Sequence, residues 1–392
     1  MTLHHHASTV LVGGFRAEPA AASAWVTLDR PVELRHTAVG GGPVSGNIDG
    51  FLAAALLPAM RRGARLRAED PVSSSLLVGV ERIQTILHAW FPELVHIEVD
   101  AASRSHQGSR RATGVAAFFS GGVDSLYTAL KHRDELTALV FIHGFDIRLE
   151  RSAARTRCVR LARAAAAALG KPLVEVETSI RSFSRPYVGW GLYHGAALAS
   201  VASFLAPRFG KVYIPSSLSY DSYFPHGSHP LLDPLWTTED LELVHDGFEA
   251  NRYEKTAFVA ASDVALRFLR VCNRSTGSIV NCGRCEKCLR TMVALRVLGV
   301  LEDCRTFAAH PDLEAIPAVL AGRDWANRDL WEQNLRAAEQ AGDDPVLLRT
   351  LRNALGRPGR APTRRRVSWR SDRSRLVVPT RGEREAAGQR LR

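Results

Sequence analysis

The sequence has no uninterrupted apolar run long enough to span a bilayer, which excludes a membrane-crossing helix. Its first residues, MTLHHHASTVLVGG, have neither the positively charged start nor the cleavage site of a signal peptide. Cysteine is scarce, with six residues among 392, and this excludes a small secreted protein built on disulfides. We therefore expect a soluble cytoplasmic protein, whose hydrophobic content of 46% is enough for a well-filled core.

The excess of positive charge is confined to one end of the chain. Residues 357–392 contain 12 arginines, no lysine and 3 acidic residues, so +9 of the net charge of +11 lies there and +2 lies in residues 1–356. A composition rich in Pro, Gly, Ser and Arg predicts a disordered tail. Such a tail solubilises the chain or contacts nucleic acid or an acidic partner. The near-neutral body lacks the charge of a nucleic-acid-binding domain.

Hydrophobic periodicity divides the rest of the chain into three regions. We expect an N-terminal α/β accessory domain, a larger α/β domain and a helical extension before the tail, with these boundaries: 1–102, 113–300, 301–356 and 357–392. In the first region, WVTLDRPVELRH and LVHIEVDA each predict one strand. The chain from Glu239 onward is predicted to be mainly helical.

The larger domain alternates strands with helices. Strand-like apolar runs end near Phe119, His143, Thr178 and Ser216, and helical patterns separate them. This order predicts a parallel sheet with helices on both faces, because each helical crossover returns the chain in the same direction. Ligands of such sheets bind at the carboxyl ends of the strands. Polar residues at those ends are therefore the candidate site.

The stretch AAFFSGGVDSLYTALKH joins an apolar strand to a helix through a short polar turn. Gly121 and Gly122 carry no Cβ, so the backbone can close around an anion. The helix that begins near Val123 presents unpaired N–H groups and its dipole, and Ser120 and Ser125 add hydroxyl donors. The loop is not a Walker A motif, since no Gly-Lys-Ser/Thr follows at the required spacing. The pattern predicts a phosphate-binding loop.

Residues 120–125, SGGVDS, resemble the signature of the PP-loop (N-type) ATP pyrophosphatases, a superfamily that includes GMP synthetase, asparagine synthetase and tRNA thiolation enzymes. In that superfamily the loop holds the β- and γ-phosphates of ATP, attack occurs at the α-phosphorus, and pyrophosphate leaves. The resemblance implies an adenine nucleotide α-hydrolase-like fold that binds ATP and Mg²⁺. Asp124 by itself would repel the phosphates, so we expect it to bind Mg²⁺ or to cap the loop.

The same resemblance extends to two further segments. It implies that the end of the second strand, FIHGFDIRLE, contacts the base and ribose through His143, Gly144 and Asp146. An aspartate at a strand end is also a common turn residue, which is the alternative for Asp146. In RYEKT, Lys255 stands where the superfamily tends to have a lysine near the triphosphate. A solvated surface lysine is the alternative there.

Three cysteines, Cys282, Cys285 and Cys288, follow the C-x2-C-x2-C spacing in NCGRCEKC. Thiolates at this spacing can converge on one ion, and a fourth ligand would complete a tetrahedral zinc site. From the spacing alone that ligand is either Cys272 or Cys304, and an iron–sulfur cluster is an alternative to zinc. Four thiolates leave no open coordination position, so the predicted site is structural.

The spacing C-x9-C-x2-C-x2-C followed by LRTMVAL is similar to the C-terminal zinc knuckle of the 7-cyano-7-deazaguanine synthase family. That similarity favours Cys272 as the fourth ligand. It covers residues 114–299 and leaves the N-terminal region and the tail unexplained.

The segment that reads the substrate in that family corresponds here to SYDSYFPHGSHPLLDPLW. Tyr220 and Asp221 keep part of the pattern and His226 departs from it, and these three are the candidate substrate-binding residues. On the preceding helix, His194 and Gly195 replace the usual Arg-Asn pair. We therefore expect the substrate or the acceptor to differ from that of the family.

The resemblance implies a carbon–nitrogen ligase. ATP would adenylate a small-molecule carboxylate with release of pyrophosphate, and ammonia or an amine would give an amide, or a nitrile after a second round. A protein amine is a further candidate acceptor, as in similar homologues from bacterial defence islands. Residues before the loop contain no glutaminase-like Cys/His pair, so the nitrogen source is free ammonia or an amine. Homodimers are common in the superfamily.

Two other functions are compatible with the loop. A tRNA or small-molecule thiolation enzyme would need a persulfide-carrying cysteine, for which Cys158 is the only candidate in the sheet region. An ATP-binding module whose conformation is sensed by a partner would need no chemistry at all.

Overall fold

Runs of β-branched and apolar residues form the strands, and longer runs with helical spacing form the helices. The computed structural model describes residues 9–104, 111–274, 280–307, 310–321 and 325–356, so the predicted basic tail at 357–392 lies outside the described residues. The strands are β1 (Thr9–Glu18), β2 (Ala21–Thr27), β3 (Pro31–Val39), β4 (Arg65–Ala68), β5 (Val72–Ser73), β6 (Val99–Asp100), β7 (Ser103–Arg104), β8 (Gly114–Phe118), β9 (Ala138–His143), β10 (Leu173–Thr178), β11 (Phe209–Pro215) and β12 (Glu242–Asp246).

The helices cover both faces of the sheet and the C-terminal part of the chain. They are α1 (Asp49–Arg62), α2 (Ser74–Trp90), α3 (Val123–Lys131), α4 (Ser152–Ala168), α5 (Ile180–Ser184), α6 (Trp190–Phe204), α7 (Arg252–Ala260), α8 (Asp263–Phe268), α9 (Glu286–Val297), α10 (Ile316–Leu320), α11 (Trp325–Ala341) and α12 (Pro345–Gly356), with a 3₁₀ turn at Asp233–Trp236. No helix in the described ranges is both long and apolar enough to cross a membrane.

A ten-stranded sheet has the order β12-β11-β8-β9-β10-β3-β2-β1-β4-β6. The five strands from β12 to β10 are parallel to one another. Their order along the sheet reverses between β8 and β11, and ligands of parallel sheets bind at such switch points. The prediction of an α/β fold with a mostly parallel sheet and helices on both faces is confirmed.

The N-terminal region continues this sheet. Strand β3 pairs antiparallel with β10, with Ala38 opposite Val176, and β2 and β1 extend the sheet beyond it. The prediction of a single strand in WVTLDRPVELRH is wrong, because a turn before Pro31 divides it into β2 and β3. In LVHIEVDA only Val99 and Asp100 form a strand. Through the pairing of β3 with β10, strands of residues 9–104 belong to the same sheet as β8, the strand that precedes residues 120–125.

Apolar side chains fill both faces of the sheet. One cluster lies under α1, α2 and α6, and the other lies under α3, α4 and α7 to α9. Gly50 allows α1 and α6 to approach closely, because a Cβ there would lie 2.6 Å from the Ser200 carbonyl oxygen. A third cluster packs α11 and α12 on α9 around buried Trp331. Strand β12 lies within the region predicted to be mainly helical, so that prediction missed the last parallel strand.

Candidate functional site

The predicted phosphate-binding loop, residues 120–125 and called the phosphate loop below, follows β8 at the switch point of the sheet. Gly121 has φ +75°, a conformation that L residues rarely adopt, so this position requires glycine. Ser125 Oγ accepts a hydrogen bond from the Ser120 amide at 3.2 Å and donates to the Gly122 carbonyl at 3.1 Å. These contacts curl the chain over the first turn of α3, whose leading N–H groups have no acceptor within the helix.

Two cations, the half-buried Arg252 and the buried Lys255, converge on the carboxylate of the phosphate loop. Arg252 Nη2 donates to Asp124 Oδ2 at 2.8 Å, and Lys255 Nζ lies 4.0 Å from Oδ1. Ser217, at the end of β11, donates to the same Oδ2 at 3.3 Å. Asp124 Oδ1 and Arg252 Nε are buried without a hydrogen-bond partner. Two cations facing one carboxylate leave net positive charge beside a helix N-terminus, which suits an anion.

Lys255 is deeply buried for a lysine, since its side chain is 1% exposed. Asn251 caps α7 in front of it through a capping box with Glu254, and this fixes where the helix begins. The ammonium donates to the carbonyls of Ser216 at 2.8 Å and Leu218 at 3.2 Å. Burial lowers the pKa of Lys255 to about 8, although the charge of Asp124 opposes the shift. The alternative of a solvated surface lysine is therefore wrong.

A cavity of about 210 Å³ opens beside the phosphate loop. Its polar lining includes Ser120, Asp124, Ser217 and Arg270. Its apolar and aromatic lining includes Phe118, Phe141, Phe145, Trp190 and Leu198. Charged groups, loop N–H groups and aromatic side chains around one cavity are the combination expected of a site for a small charged molecule with a ring.

His143 and Asp146 both line this cavity. His143 Nε2 lies 3.0 Å from Glu175 Oε2, and Arg163 binds the same carboxylate through two nitrogens. Asp146 Oδ2 accepts from Arg270 Nη2 at 2.8 Å. Desolvation raises the pKa of Asp146, but the charges of Arg270 and Lys287 outweigh it and hold that pKa below its usual value. Both predicted residues therefore meet the phosphate loop in one cavity.

The three predicted substrate residues lie apart from that cavity. Tyr220 is 70% exposed and its ring packs edge-on against Phe248, with the centroids 4.6 Å apart. Asp221 is exposed and accepts a hydrogen bond from Ser219 Oγ. His226 contacts the cavity only indirectly, through the ring of His194 at 4.6 Å. Among the described residues that line the cavity, none of the three is present.

The cysteine cluster, comprising Cys272, Cys282, Cys285 and Cys288, has all four Sγ atoms within 4.8 Å of one another. Zn–S bonds of about 2.3 Å in a tetrahedron place the sulfurs roughly 3.8 Å apart. The Cys282–Cys288 and Cys272–Cys285 distances of 3.9 and 4.0 Å fit that geometry. Hydrogen bonding to the Cys288 side chain lowers the pKa of Cys285, which favours the thiolate form that a metal ion binds. The four side chains could hold a metal ion such as zinc.

Cys304 lies outside the cysteine cluster. It is buried near Thr306, with 3.6 Å between its Sγ and Thr306 Oγ1. The choice of Cys272 as the fourth ligand thus agrees with the geometry. Asn281 helps to position Cys272 by accepting its backbone N–H at 3.2 Å.

Arg270 connects the cysteine cluster to the phosphate loop. Its backbone N–H donates to the Gly121 carbonyl at 2.8 Å, and its Nε donates to the Ser120 carbonyl at 3.1 Å. Its Nη1 donates to the carbonyl of Cys272 at 3.3 Å. The side chain is 2% exposed. One buried guanidinium therefore ties the backbone of Cys272 to the backbone of the loop.

Sequence reasoning missed Arg252 and Arg270 as site residues. Each lies more than 120 positions after the loop, and arginine is common in this chain. For Arg252 the usable signal was its position three residues before Lys255 at the start of a capped helix. For Arg270 it was the position two residues before Cys272.

Searches against protein-family models, curated proteins and solved structures found no match to this chain. The candidate site therefore rests on its own geometry and on the resemblance of its motifs.

Proposed function

We propose that this protein is an ATP-dependent ligase that adenylates a small-molecule carboxylate, releases pyrophosphate, and transfers the acyl group to ammonia or an amine. The observation that carries the proposal is the position of Asp124, in an SGGVDS loop at the switch point of the sheet, with Arg252 and Lys255 both directed at it. A parallel sheet with a glycine-containing loop between one of its strands and a helix is compatible with the adenine nucleotide α-hydrolase-like fold that the proposal requires.

The two cations support phosphate binding at this loop. Arg252 and Lys255 are held by α7, so their charges are fixed in place before a ligand arrives. A triphosphate would replace Asp124 as the partner of one or both cations. The N–H groups at the start of α3 would add donors to the β- and γ-phosphates. Groups that are already oriented stabilise the charge of departing pyrophosphate without a cost of reorganisation.

The reaction proceeds in two displacements. A carboxylate oxygen attacks the α-phosphorus, and the bond from that phosphorus to the bridging oxygen of pyrophosphate breaks. The nitrogen of ammonia or an amine then attacks the acyl carbon, AMP leaves with the bonding electrons, and the nitrogen loses a proton to solvent. The cavity would contribute mainly by holding both reactants in line. No covalent protein nucleophile is required.

The residues present fit the two metals that the proposal implies. Asp124 Oδ1 is buried without a hydrogen-bond partner, and a carboxylate oxygen beside phosphates is a typical Mg²⁺ ligand. Magnesium would neutralise phosphate charge there. The cysteine cluster fits zinc, which would be structural because four thiolates leave no open position.

The thiolation alternative has less support. Cys158 is packed in the apolar cluster under α4, and burial raises the pKa of its thiol. A persulfide carrier needs an accessible thiol with a lowered pKa.

The experiment measures pyrophosphate release from ATP across a set of carboxylic acids that includes 7-carboxy-7-deazaguanine, with and without ammonium. Mass spectrometry follows the products. We expect release to depend on one acid and to fall by about 100-fold or more in Asp124→Asn. Asp134→Asn, an exposed carboxylate beyond the end of α3, is the matched control and should match the wild type.

A mass change that corresponds to an amide or nitrile identifies ammonia as the acceptor. Acid-dependent release without such a product identifies another amine, including a protein amine. Absence of release with every acid would refute the proposal.

A further inference from the structure

One face of α6 forms part of the cavity wall. Trp190, His194 and Leu198 line the cavity at intervals of four residues, which places them on a single stripe of the helix. His194 is the polar member of this stripe. Neither the loop chemistry nor the phosphate site uses it.

The backbone fixes the tautomer of His194. Its Nδ1 lies 3.1 Å from the carbonyl oxygen of Gly191, and a carbonyl can only accept, so Nδ1 carries the proton. In a neutral ring, Nε2 then carries a lone pair and can only accept. The backbone of Trp190 is a second hydrogen-bond partner of the ring, and a carbonyl there can also only accept. Among the described residues no donor to Nε2 is found. His194 thus presents an acceptor without a protein partner on a side chain that lines the cavity.

The surroundings keep this ring uncharged. Burial lowers the pKa of His194 to about 3, and the nearby ring of His226 adds to the shift. Gly195 and Gly227 bring the two segments together, because a Cβ on Gly195 would lie 1.9 Å from the Gly227 carbonyl oxygen. His226 is held against His194 by this close contact, at a ring distance of 4.6 Å. A neutral acceptor pairs with an N–H and has no attraction for a carboxylate.

The neighbouring wall suits a flat ring. Trp190 packs edge-on against Phe145, with centroids 4.9 Å apart and planes at 83°. The guanidinium of Arg181 lies 4.8 Å from the Trp190 ring, and this contact helps to fix its orientation. Rigid aromatic rings beside a single oriented acceptor are the elements of a ring-binding pocket.

We propose that His194 is a specificity-determining residue of the cavity, whose Nε2 accepts a hydrogen bond from an N–H of a flat, uncharged heteroaromatic ring bound against Trp190 and Phe145. This rests on the proposed function, in which two such rings are available: the adenine of ATP, through its 6-amino group, and a ring of the acid substrate. The charged part of either molecule then lies toward the phosphate loop, whose Ser120 and Asp124 line the same cavity.

The first arm of the test concerns the base. Binding of ATP and of purine riboside 5′-triphosphate, which lacks the 6-amino group, is measured by calorimetry for wild type, His194→Phe and His194→Gln. If His194 accepts a hydrogen bond from adenine, the wild type binds ATP about fivefold to tenfold more tightly than purine riboside 5′-triphosphate. This is the difference in affinity expected from one buried hydrogen bond. The phenylalanine variant loses this preference, and the glutamine variant, which restores an acceptor, regains part of it.

The second arm concerns the acid and uses no nucleotide. Binding of indole-3-carboxylate is compared with that of benzofuran-3-carboxylate, in which oxygen replaces the ring N–H. If His194 accepts a hydrogen bond from the acid, the wild type binds indole-3-carboxylate more tightly than benzofuran-3-carboxylate by a similar factor. This difference in affinity disappears in His194→Phe and returns in part in His194→Gln.

His88→Phe is the matched control, because His88 also has Nδ1 hydrogen-bonded to a backbone carbonyl, that of Leu94, and it does not line the cavity. It should leave both preferences unchanged. A wild type that prefers neither N–H compound, or a preference that survives in His194→Phe, overturns the proposal. A wild type that binds neither nucleotide refutes the proposed function, while the second arm still decides the role of His194.

Discussion

The phosphate loop and the cysteine cluster differ in what holds them in place. Three of the four cysteines lie within seven residues, so most of the cluster is specified by one short segment. The phosphate loop has a local signature, but its partners Arg252, Lys255 and Arg270 all come from helices and turns more than 120 residues later. A set of thiolates defines its own site, whereas a loop of backbone N–H groups needs charge from elsewhere in the fold.

The two regions meet at Arg270. This residue contacts the loop backbone and the backbone of Cys272. A substitution in one region should therefore change a measurable property of the other, such as zinc content or ATP affinity.

The largest effect is expected for Cys288→Ser. Cys288 is fully buried at the start of α9, and loss of one thiolate should remove the metal and the stability that it supplies. We expect zinc to fall from about one ion per chain to a small fraction, and the Tm to fall by roughly 10 °C. Elemental analysis measures the zinc content, and calorimetry measures the Tm. Cys304→Ser is the matched control, and an equal zinc loss there would show that the cluster has been wrongly assigned.

Next in size is Lys255→Met. The substitution removes a buried charge beside Asp124 while keeping an apolar stem of similar length, so we expect ATP to bind about 100-fold more weakly. Zinc content should stay unchanged, which separates the phosphate loop from the cysteine cluster. Lys131→Met is the control, because Lys131 is already paired with Asp246 and Glu249. Unchanged ATP affinity in Lys255→Met would remove this lysine from the site.

An intermediate effect is expected for Arg270→Met, which breaks the link between the two regions. The phosphate loop would lose the side-chain contact at the Ser120 carbonyl, and we expect ATP to bind about tenfold more weakly with zinc retained. Arg270→Lys keeps the positive charge but lacks the several N–H donors of the planar guanidinium. Its affinity for ATP should lie between those of the wild type and Arg270→Met. If Arg270→Met loses zinc in full but binds ATP normally, the residue serves the cysteine cluster alone.

The smallest effect is a pH dependence. Burial lowers the pKa of Lys255 to about 8, so its charge is present below that pH and is lost as the pH rises through 8. We expect the affinity for ATP to fall by about fourfold between pH 7 and pH 8.5, in proportion to the protonated fraction of Lys255. Lys255→Arg should remove the dependence, since arginine stays charged over this range.

Stability should move in the opposite direction. The unfolded lysine binds its proton up to about pH 10.5, whereas the folded one releases it near 8. The unfolded state therefore holds more protons between these values, and the unliganded protein gains stability as the pH rises through this window. A free energy of unfolding that falls over the same range would contradict the assignment.

Local patterns predicted the central strands well. The runs that end at Phe119 and His143 form β8 and β9, because alternation with helices and β-branched composition agree there. Strand β12 was missed because its five residues, ELVHD, carry polar groups at both ends and little hydrophobic signal. Its pairing with β11 is a long-range contact that no local pattern contains.

The same limit applies to the candidate site. Residues 120–125 and the cysteines were identified from spacing, and His143 and Asp146 from their position at a strand end. Tyr220 and Asp221 were expected near the ligand but are exposed and do not line the cavity, because the segment after β11 turns them outward. A motif predicts which residue types are present, and the path of the loop decides where they point.

By itself the sequence determined the elements whose chemistry is local. The glycines of the phosphate loop, the start of α3 and the thiolate spacing follow from residues that are close along the chain. Only the tertiary structure decided which charges meet at Asp124, that Arg270 joins the two regions, and that His194 is neutral and lines the cavity. The physical reason is that burial and electrostatic pairing depend on neighbours brought together by the fold, and the order of residues along the chain does not contain them.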